Sequence, residues 1–235
     1  MSLKKNVIAH VPHKNLSSKI WDEKKMLPNF REALLRISNE FIDYLGVDID
    51  VVDITMTGSY ANYNYTPYSD IDLHIIVDFS SVDAGGDLAA EFFNAKKSFW
   101  NNRHDIELAD IEVELYPQNS EEEHASSGVY SVLNDEWVVE PKRFKTDIDV
   151  ESVTKKSEKI KKELIMAIRD AIKNNKADPL DKAIKKLRKM RKAGLEKSGE
   201  LSDENIVYKV IRSTGILQKL FDIKDHIKDK NLSQL

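Results

Sequence analysis

The sequence contains no cysteine. That excludes a disulfide framework and a thiolate zinc site, and it fits a reducing compartment. No stretch approaches 18 consecutive apolar residues, so no membrane-spanning helix is expected. The N-terminus shows no apolar h-region of a signal peptide, and the chain reads as soluble and cytoplasmic. No GxxxxGK sequence is present to cradle phosphates as a P-loop does. The histidines form no HxxxH or HExxH pair, which leaves zinc hydrolysis without support. No serine sits in a GxSxG elbow. Neither an aromatic RNP pair nor a GXXG loop marks an RNA-binding module.

What is present can bury a real core. With 235 residues and 41% apolar content, the chain is expected to form one large domain or two small ones. The net charge of -4 conceals an asymmetry. Residues 1–150 carry 14 Lys+Arg against 27 Asp+Glu, a difference of -13, while residues 151–235 carry 22 against 13, a difference of +9. An acidic, metal-seeking first part and a basic second part able to meet a polyanion are implied, although lysines covering the solvent faces of helices give the same count.

The chain is organised around the stretch from Met56 to Phe79, MTGSYANYNYTPYSDIDLHIIVDF. Asp70 and Asp72 fall two residues apart within an apolar alternation, and a strand turns such a pair to one face at roughly 6 to 7 Å. Upstream, Gly58 and Ser59 end another strand-like run, Val51 to Thr57. A backbone free of Cβ beside a small hydroxyl allows close approach of a phosphate. Further on, Asp110 to Pro117 alternates strictly, with Ile111, Val113 and Leu115 on one face and Glu112 and Glu114 on the other.

Gly58-Ser59, ten residues, then Asp70-Ile71-Asp72 with Ser69 before them resembles the signature of the DNA-polymerase-beta-like nucleotidyltransferase superfamily. That resemblance implies a third carboxylate from a neighbouring strand, and both Glu112 and Glu114 have the apolar-acid-apolar setting. Glu114 is the choice, because Glu114-Leu115-Tyr116-Pro117 is similar to the ending found in some members; Glu112 stays an alternative on the same face. By the resemblance, Asp70, Asp72 and Glu114 are the catalytic and metal-binding residues, and Gly58 with Ser59 grips the nucleotide's phosphates. The substrate implied is an NTP, ATP among the candidates.

Two ionised carboxylates about 5 Å apart repel by roughly 3 kcal/mol at an effective dielectric near 20, so a cation should sit among them. An all-oxygen set suits Mg2+, with Mn2+ possible, better than zinc. Two such ions activate an attacking hydroxyl and stabilise the departing pyrophosphate. The reaction that the resemblance implies is metal-dependent transfer of a nucleoside monophosphate to a hydroxyl acceptor. Superfamily members modify RNA, proteins and small molecules, and the sequence does not select among them. Glutamate in place of the more usual aspartate adds a methylene of reach; it keeps open a catalytically inactive nucleotide- or RNA-binding module of the same fold.

Along the chain, Lys4 to Lys25 has no sustained period. Phe30, Leu34, Ile37, Phe41, Ile42 and Leu45 predict a helix from Leu27 that Gly46 ends. Tyr60, Tyr63, Tyr65 and Tyr68 crowd the loop before the aspartates; packing is favoured over base stacking. His74 shares the aspartates' face, where a structural role is favoured over a ligand role. After a break at Gly85-Gly86, a helix from about Asp87 to Asn101 is expected to face Leu88, Phe92, Phe93 and Phe99 inward. Glu121, Glu122 and Glu123 read as a solvated loop. Val129 to Leu133 and Trp137 to Val139 read as a hairpin through Asn134-Asp135.

Beyond Pro141, apolar stripes through Ile160–Ile172, Leu180–Met190 and Ile206–Leu220 predict three helices. Asp178-Pro179 is expected to cap and start the second, and Ser202 the third. Lys182, Lys185, Lys186, Arg188, Lys189, Arg191 and Lys192 make the second helix densely basic, a surface suited to a polyanion. The expected fold is α+β: a small mixed or antiparallel sheet flanked by helices over residues 1–145, then a basic helical bundle over 146–235.

Overall fold

The computed structural model describes residues 2–82, 86–122, 126–143 and 148–233. Gly85, Glu123 and the expected boundary at 145–146 lie outside the described residues. Two compact units emerge, Pro12–Phe144 and Met1–Val11 with Lys145–Leu235. The architecture is α+β, with a mixed sheet and helices in the first of these and helices in the second.

The chain opens with helix α1 (Leu3–Ile8), which belongs to the helical unit, not to the sheet domain that the sequence reading extended to residue 1. Its Val7 is fully buried, and the Asn6 amide donates to the Ser213 hydroxyl at 3.1 Å. An aperiodic segment had given no sign of this, because one short apolar turn finds its partners only far along the chain.

In the sheet unit, β1 (Trp21–Asp22) and β2 (Lys25–Met26) form a small hairpin ahead of α2 (Pro28–Leu45). Pro28 occupies the first turn, where its missing N–H costs nothing. Gly46 ends the helix in the left-handed region at φ 70°. Next come β3 (Val51–Thr57), β4 (Ile71–Val77), α3 (Gly86–Arg103), β5 (Glu107–Leu108), β6 (Ile111–Asn119), β7 (Val129–Ser131) and β8 (Glu136–Val139). The six-stranded sheet runs β5-β6-β4-β3-β7-β8. Among the described residues only the β4–β6 pair is parallel, as the crossover through α3 requires.

Alternation divides the central strands. Ile71, Leu73, Ile75 on β4 and Ile111, Val113, Leu115 on β6 enter a core that includes Leu34, Phe41, Phe93 and Trp100 from α2 and α3. Each such side chain contributes roughly 1.5–3 kcal/mol by leaving water. The intervening residues, Asp72 and His74 on β4 and Glu114, Tyr116 and Gln118 on β6, therefore share the opposite face.

Helix α3 departs from expectation. Ala89, Phe93 and Trp100 are its buried positions, while Leu88 and Phe99 are 58% and 54% exposed. The inward stripe follows Phe93 and Trp100, seven residues apart, so Phe99 lies beside it and meets the Tyr44 ring at 6.4 Å instead.

The helical unit holds α4 (Val150–Asn174), α5 (Asp178–Ser198), α6 (Asp203–Ser213) and α7 (Ile216–Leu232). The expected third helix is two, because Gly215 at φ 72° breaks the stripe between Ile211 and Leu217. Ser202 caps α6, accepting from the Asn205 N–H at 3.4 Å. Asp178 does not cap α5: Ala177 holds that position, its carbonyl accepting from Leu180 and Asp181, and Asp178-Pro179 lies inside the first turn. Ile172, counted in the first stripe, is exposed.

Candidate active site

The parallel pairing of β4 with β6 sets Asp72 opposite Glu114 in register, both side chains on the face away from the core. Asp70 lies just before β4, one pleat from Asp72. Each of the three half-buried carboxylates offers an oxygen, and these oxygens all lie within 4.8 Å of one another. This donor set is wholly oxygen, the type that holds a hard divalent cation.

Glu112 stands apart from that cluster. It is exposed, one pleat before Glu114, and pairs with Glu107 across β5. Partial burial, then the charges of Glu114, Asp70, Asp105 and Glu107, raises its pKa above the usual carboxylate range.

Gly58 and Ser59 turn the chain out of β3 beside the acids. Gly58 adopts φ 74°, a conformation glycine reaches without steric cost. The turn is fixed by Asn62, whose amide donates to the Gly58 carbonyl at 2.9 Å and whose N–H donates to the Ser59 carbonyl at 3.1 Å. The Ser127 hydroxyl orients Asn62 by donating to its Oδ1 at 3.1 Å. Below, the Ser69 hydroxyl accepts from the Thr66 N–H at 3.0 Å, closing the loop immediately before Asp70.

Three of the four loop tyrosines pack that connection. Tyr60 and Tyr63 are buried, and Tyr65 is stacked between His13 at 4.0 Å and Tyr60 at 5.4 Å. The Trp21 indole N–H donates to the Tyr60 carbonyl at 2.8 Å. Tyr68 is 37% exposed.

His74 is held as a strut. Its Nε2 hydrogen-bonds the Thr57 hydroxyl at 3.1 Å and its Nδ1 the Gln118 side chain at 2.7 Å, tying β3, β4 and β6 together. Its ring stacks on Tyr116 at 5.1 Å. The Tyr116 hydroxyl donates to Glu114 Oε2. Burial, that hydrogen bond and the charges of Glu114, Asp72 and Asp70 push the phenol pKa well above its ordinary value, so it remains a donor.

In the sequence alone, Tyr116 reads only as an apolar follower of Glu114. Its signal was the two-residue period, which puts position 116 on the acid face. Asn101 was likewise unforeseen: its amide accepts from the Leu115 N–H at 3.2 Å and donates to the Leu115 carbonyl at 3.1 Å.

The basic residues of α5 are partly engaged within their own unit. Lys186 pairs with Glu163 at 2.7 Å, and Lys192 with Glu196 at 3.8 Å. Arg191 lies over the Tyr208 ring at 4.4 Å and donates to Asn205 at 3.1 Å. Lys182, Lys185 and Lys189 are exposed, as are Glu121 and Glu122 of the acidic loop. No helix among the described residues is long and apolar enough to cross a membrane.

A family model described as a nucleotidyltransferase domain matches residues 35–136, the span that contains Gly58, Ser59, Asp70, Asp72 and Glu114. No curated protein matches the chain. Among solved structures, the STING-associated CdnE c-di-GMP synthase from Capnocytophaga granulosa is similar at 15% identity, over 88% of this chain and 84% of that one. Its TM-score is 0.24, too low to bear on fold or chemistry here.

Proposed function

We propose that the nucleotidyltransferase domain spanning residues 35–136 transfers a nucleoside monophosphate from an NTP to a hydroxyl acceptor, releasing pyrophosphate. The observation that carries this reading is the convergence of Asp70, Asp72 and Glu114, with their oxygens within 4.8 Å, beside the Gly58-Ser59 turn. Three anions so close favour a divalent cation strongly, and an oxygen-only set fits magnesium, or manganese.

Asp70 and Asp72 would hold the metal with Glu114. When bound, the cation supplies Lewis acidity at the phosphate oxygens and eases ionisation of the attacking hydroxyl. The Gly58 backbone and the Ser59 hydroxyl grip the terminal phosphates. An acceptor oxygen then attacks the α-phosphorus in line. The new P–O bond forms as the bond to pyrophosphate breaks, and in this reading Glu114 would take the acceptor's proton. The exposed lysines of α5 offer a surface to a polyanionic acceptor or partner.

Replacement of Asp70 or Asp72 by Asn should abolish transfer of labelled NMP and release of pyrophosphate. Turnover at the wild-type level would remove the assigned mechanism. NTP-dependent thermal stabilisation by Mg2+ with no pyrophosphate released, across RNA, protein and small-molecule acceptors, would instead support the non-catalytic module.

A further inference from the structure

Glutamate at the third acidic position has one more rotatable bond than aspartate, and a free glutamate on a strand samples several staggered rotamers. A metal-ligating carboxylate needs one of them. The feature that selects it lies one pleat along the same strand, where Tyr116 donates its hydroxyl to Glu114 Oε2. The phenol is itself constrained. His74 stacks on its ring at 5.1 Å with the planes 20° apart, and the Lys97 ammonium lies 4.7 Å from its centroid. His74 is tied in turn to Thr57 and Gln118, so the donor is aimed by side chains from β3, β4, β6 and α3.

Resting on the nucleotidyl-transfer reading above, we infer that Tyr116 is the positioning residue of the third carboxylate: its hydroxyl occupies one oxygen of Glu114 and fixes the longer side chain where it converges with Asp70 and Asp72. Tyr116 acts only through Glu114 and touches neither substrate nor metal. An outer residue that orients a ligand in this way commonly controls metal affinity by 10- to 100-fold.

The test is titration of Mn2+ against the full chain, followed by the paramagnetic signal of the free ion, with no NTP present. Tyr116→Phe keeps the ring and removes only the hydroxyl, and a thermal melt establishes that the variant is folded. In the Glu114 background, Tyr116→Phe should weaken Mn2+ binding by about 10-fold. In a Glu114→Ala background it should have no further effect, because the residue through which it works is gone. In turnover, Tyr116→Phe should lower kcat by a similar factor and leave the KM for NTP within about twofold, since the phosphate grip is elsewhere.

Unchanged Mn2+ affinity in the Glu114 background overturns the inference while leaving the metal reading intact. Equal weakening in both backgrounds also overturns it, since it would show that Tyr116 acts on the fold at large. Failure of the wild-type chain to bind Mn2+ overturns the metal reading and the inference together.

Discussion

A Cβ placed on Gly58 would lie 1.9 Å from Oδ2 of Asp72, far inside any non-bonded carbon–oxygen contact. The turn that ends β3 and the carboxylate on β4 are thus in direct contact through the missing side chain, and Thr57 pairs with Asp72 in the strand register. Gly58→Ala should therefore displace the Asp72 carboxylate even where the fold survives. The left-handed backbone at φ 74° adds roughly 1–2 kcal/mol of strain for any residue with a Cβ. We expect a modest fall in melting temperature and a loss of NMP transfer far larger than that fall explains. A radiolabel assay beside a thermal melt measures both; unaltered transfer would show that the close approach has no bearing on the reaction.

Glu112 and Glu114 occupy the same face of β6 but differ in company. Glu114 shares the oxygen cluster, while Glu112 is exposed beside Glu107. Glu114→Gln is expected to reduce pyrophosphate release by about 10³-fold, the scale for losing an electrostatic group made for the transition state. Glu112→Gln should leave release within severalfold of wild type. The reverse ranking would transfer the third-ligand role to Glu112.

Why the acidic cluster of the candidate site is legible in the sequence and parts of the fold are not is a matter of range. Asp70, Asp72 and the glutamates lie in strands, where a period of two assigns faces without knowledge of neighbours, and Gly58-Ser59 follows directly on β3. Glu114 is preferred to Glu112 on the local ending Leu115-Tyr116-Pro117, whereas the pairing of β6 with β4 that sets Glu114 opposite Asp72 is contained in no local pattern. Helices α2 and α4 were visible through apolar spacing, and Gly46 marked the end of α2. The burial of Trp100 in place of Phe99 was decided by where α3 lands on the sheet, and the docking of α1 by helices more than 140 residues away. Tyr116 is not marked by hydropathy, because what distinguishes it is a hydrogen bond from its hydroxyl to an acceptor, Glu114. Gly215 lay within a stripe that continued on both sides, so the break was hidden by the helices it separates.

Acid should destabilise the helical unit through His10. This residue is 6% exposed, its Nε2 has no hydrogen-bond partner, and burial, followed by the charges of Lys209 and Arg212, lowers its pKa from 6.5 to about 4. Between those values the unfolded chain binds the proton and the folded chain resists it. The stabilising contribution of neutral His10 is therefore complete above pH 6.5 and falls away as pH drops toward 4, by at most about 3 kcal/mol at 1.36 kcal/mol per unit. His10→Leu should flatten this part of the profile. Denaturant melts at pH 7, 5.5 and 4.5 would reveal it; parallel losses in wild type and variant would assign the acid sensitivity elsewhere.

The rigidity of the Glu114 strand rests on Asn101. Strand β5 pairs with β6 only through Glu107–Glu112 and Leu108–Ile111, so the outward backbone groups of Leu115 have no strand beside them. Asn101 from α3 supplies an acceptor to the Leu115 N–H and a donor to its carbonyl, standing in for one rung of a missing strand. Asn101→Ala leaves both groups without a partner at a half-buried edge and should cost about 2 kcal/mol. Because Leu115 adjoins Glu114, the same change should speed hydrogen exchange at the Leu115 amide more than at Leu73 on β4, whose neighbours are intact. Uniform exchange across both strands would mean that Asn101 supports the sheet as a whole and not the edge that carries the third carboxylate.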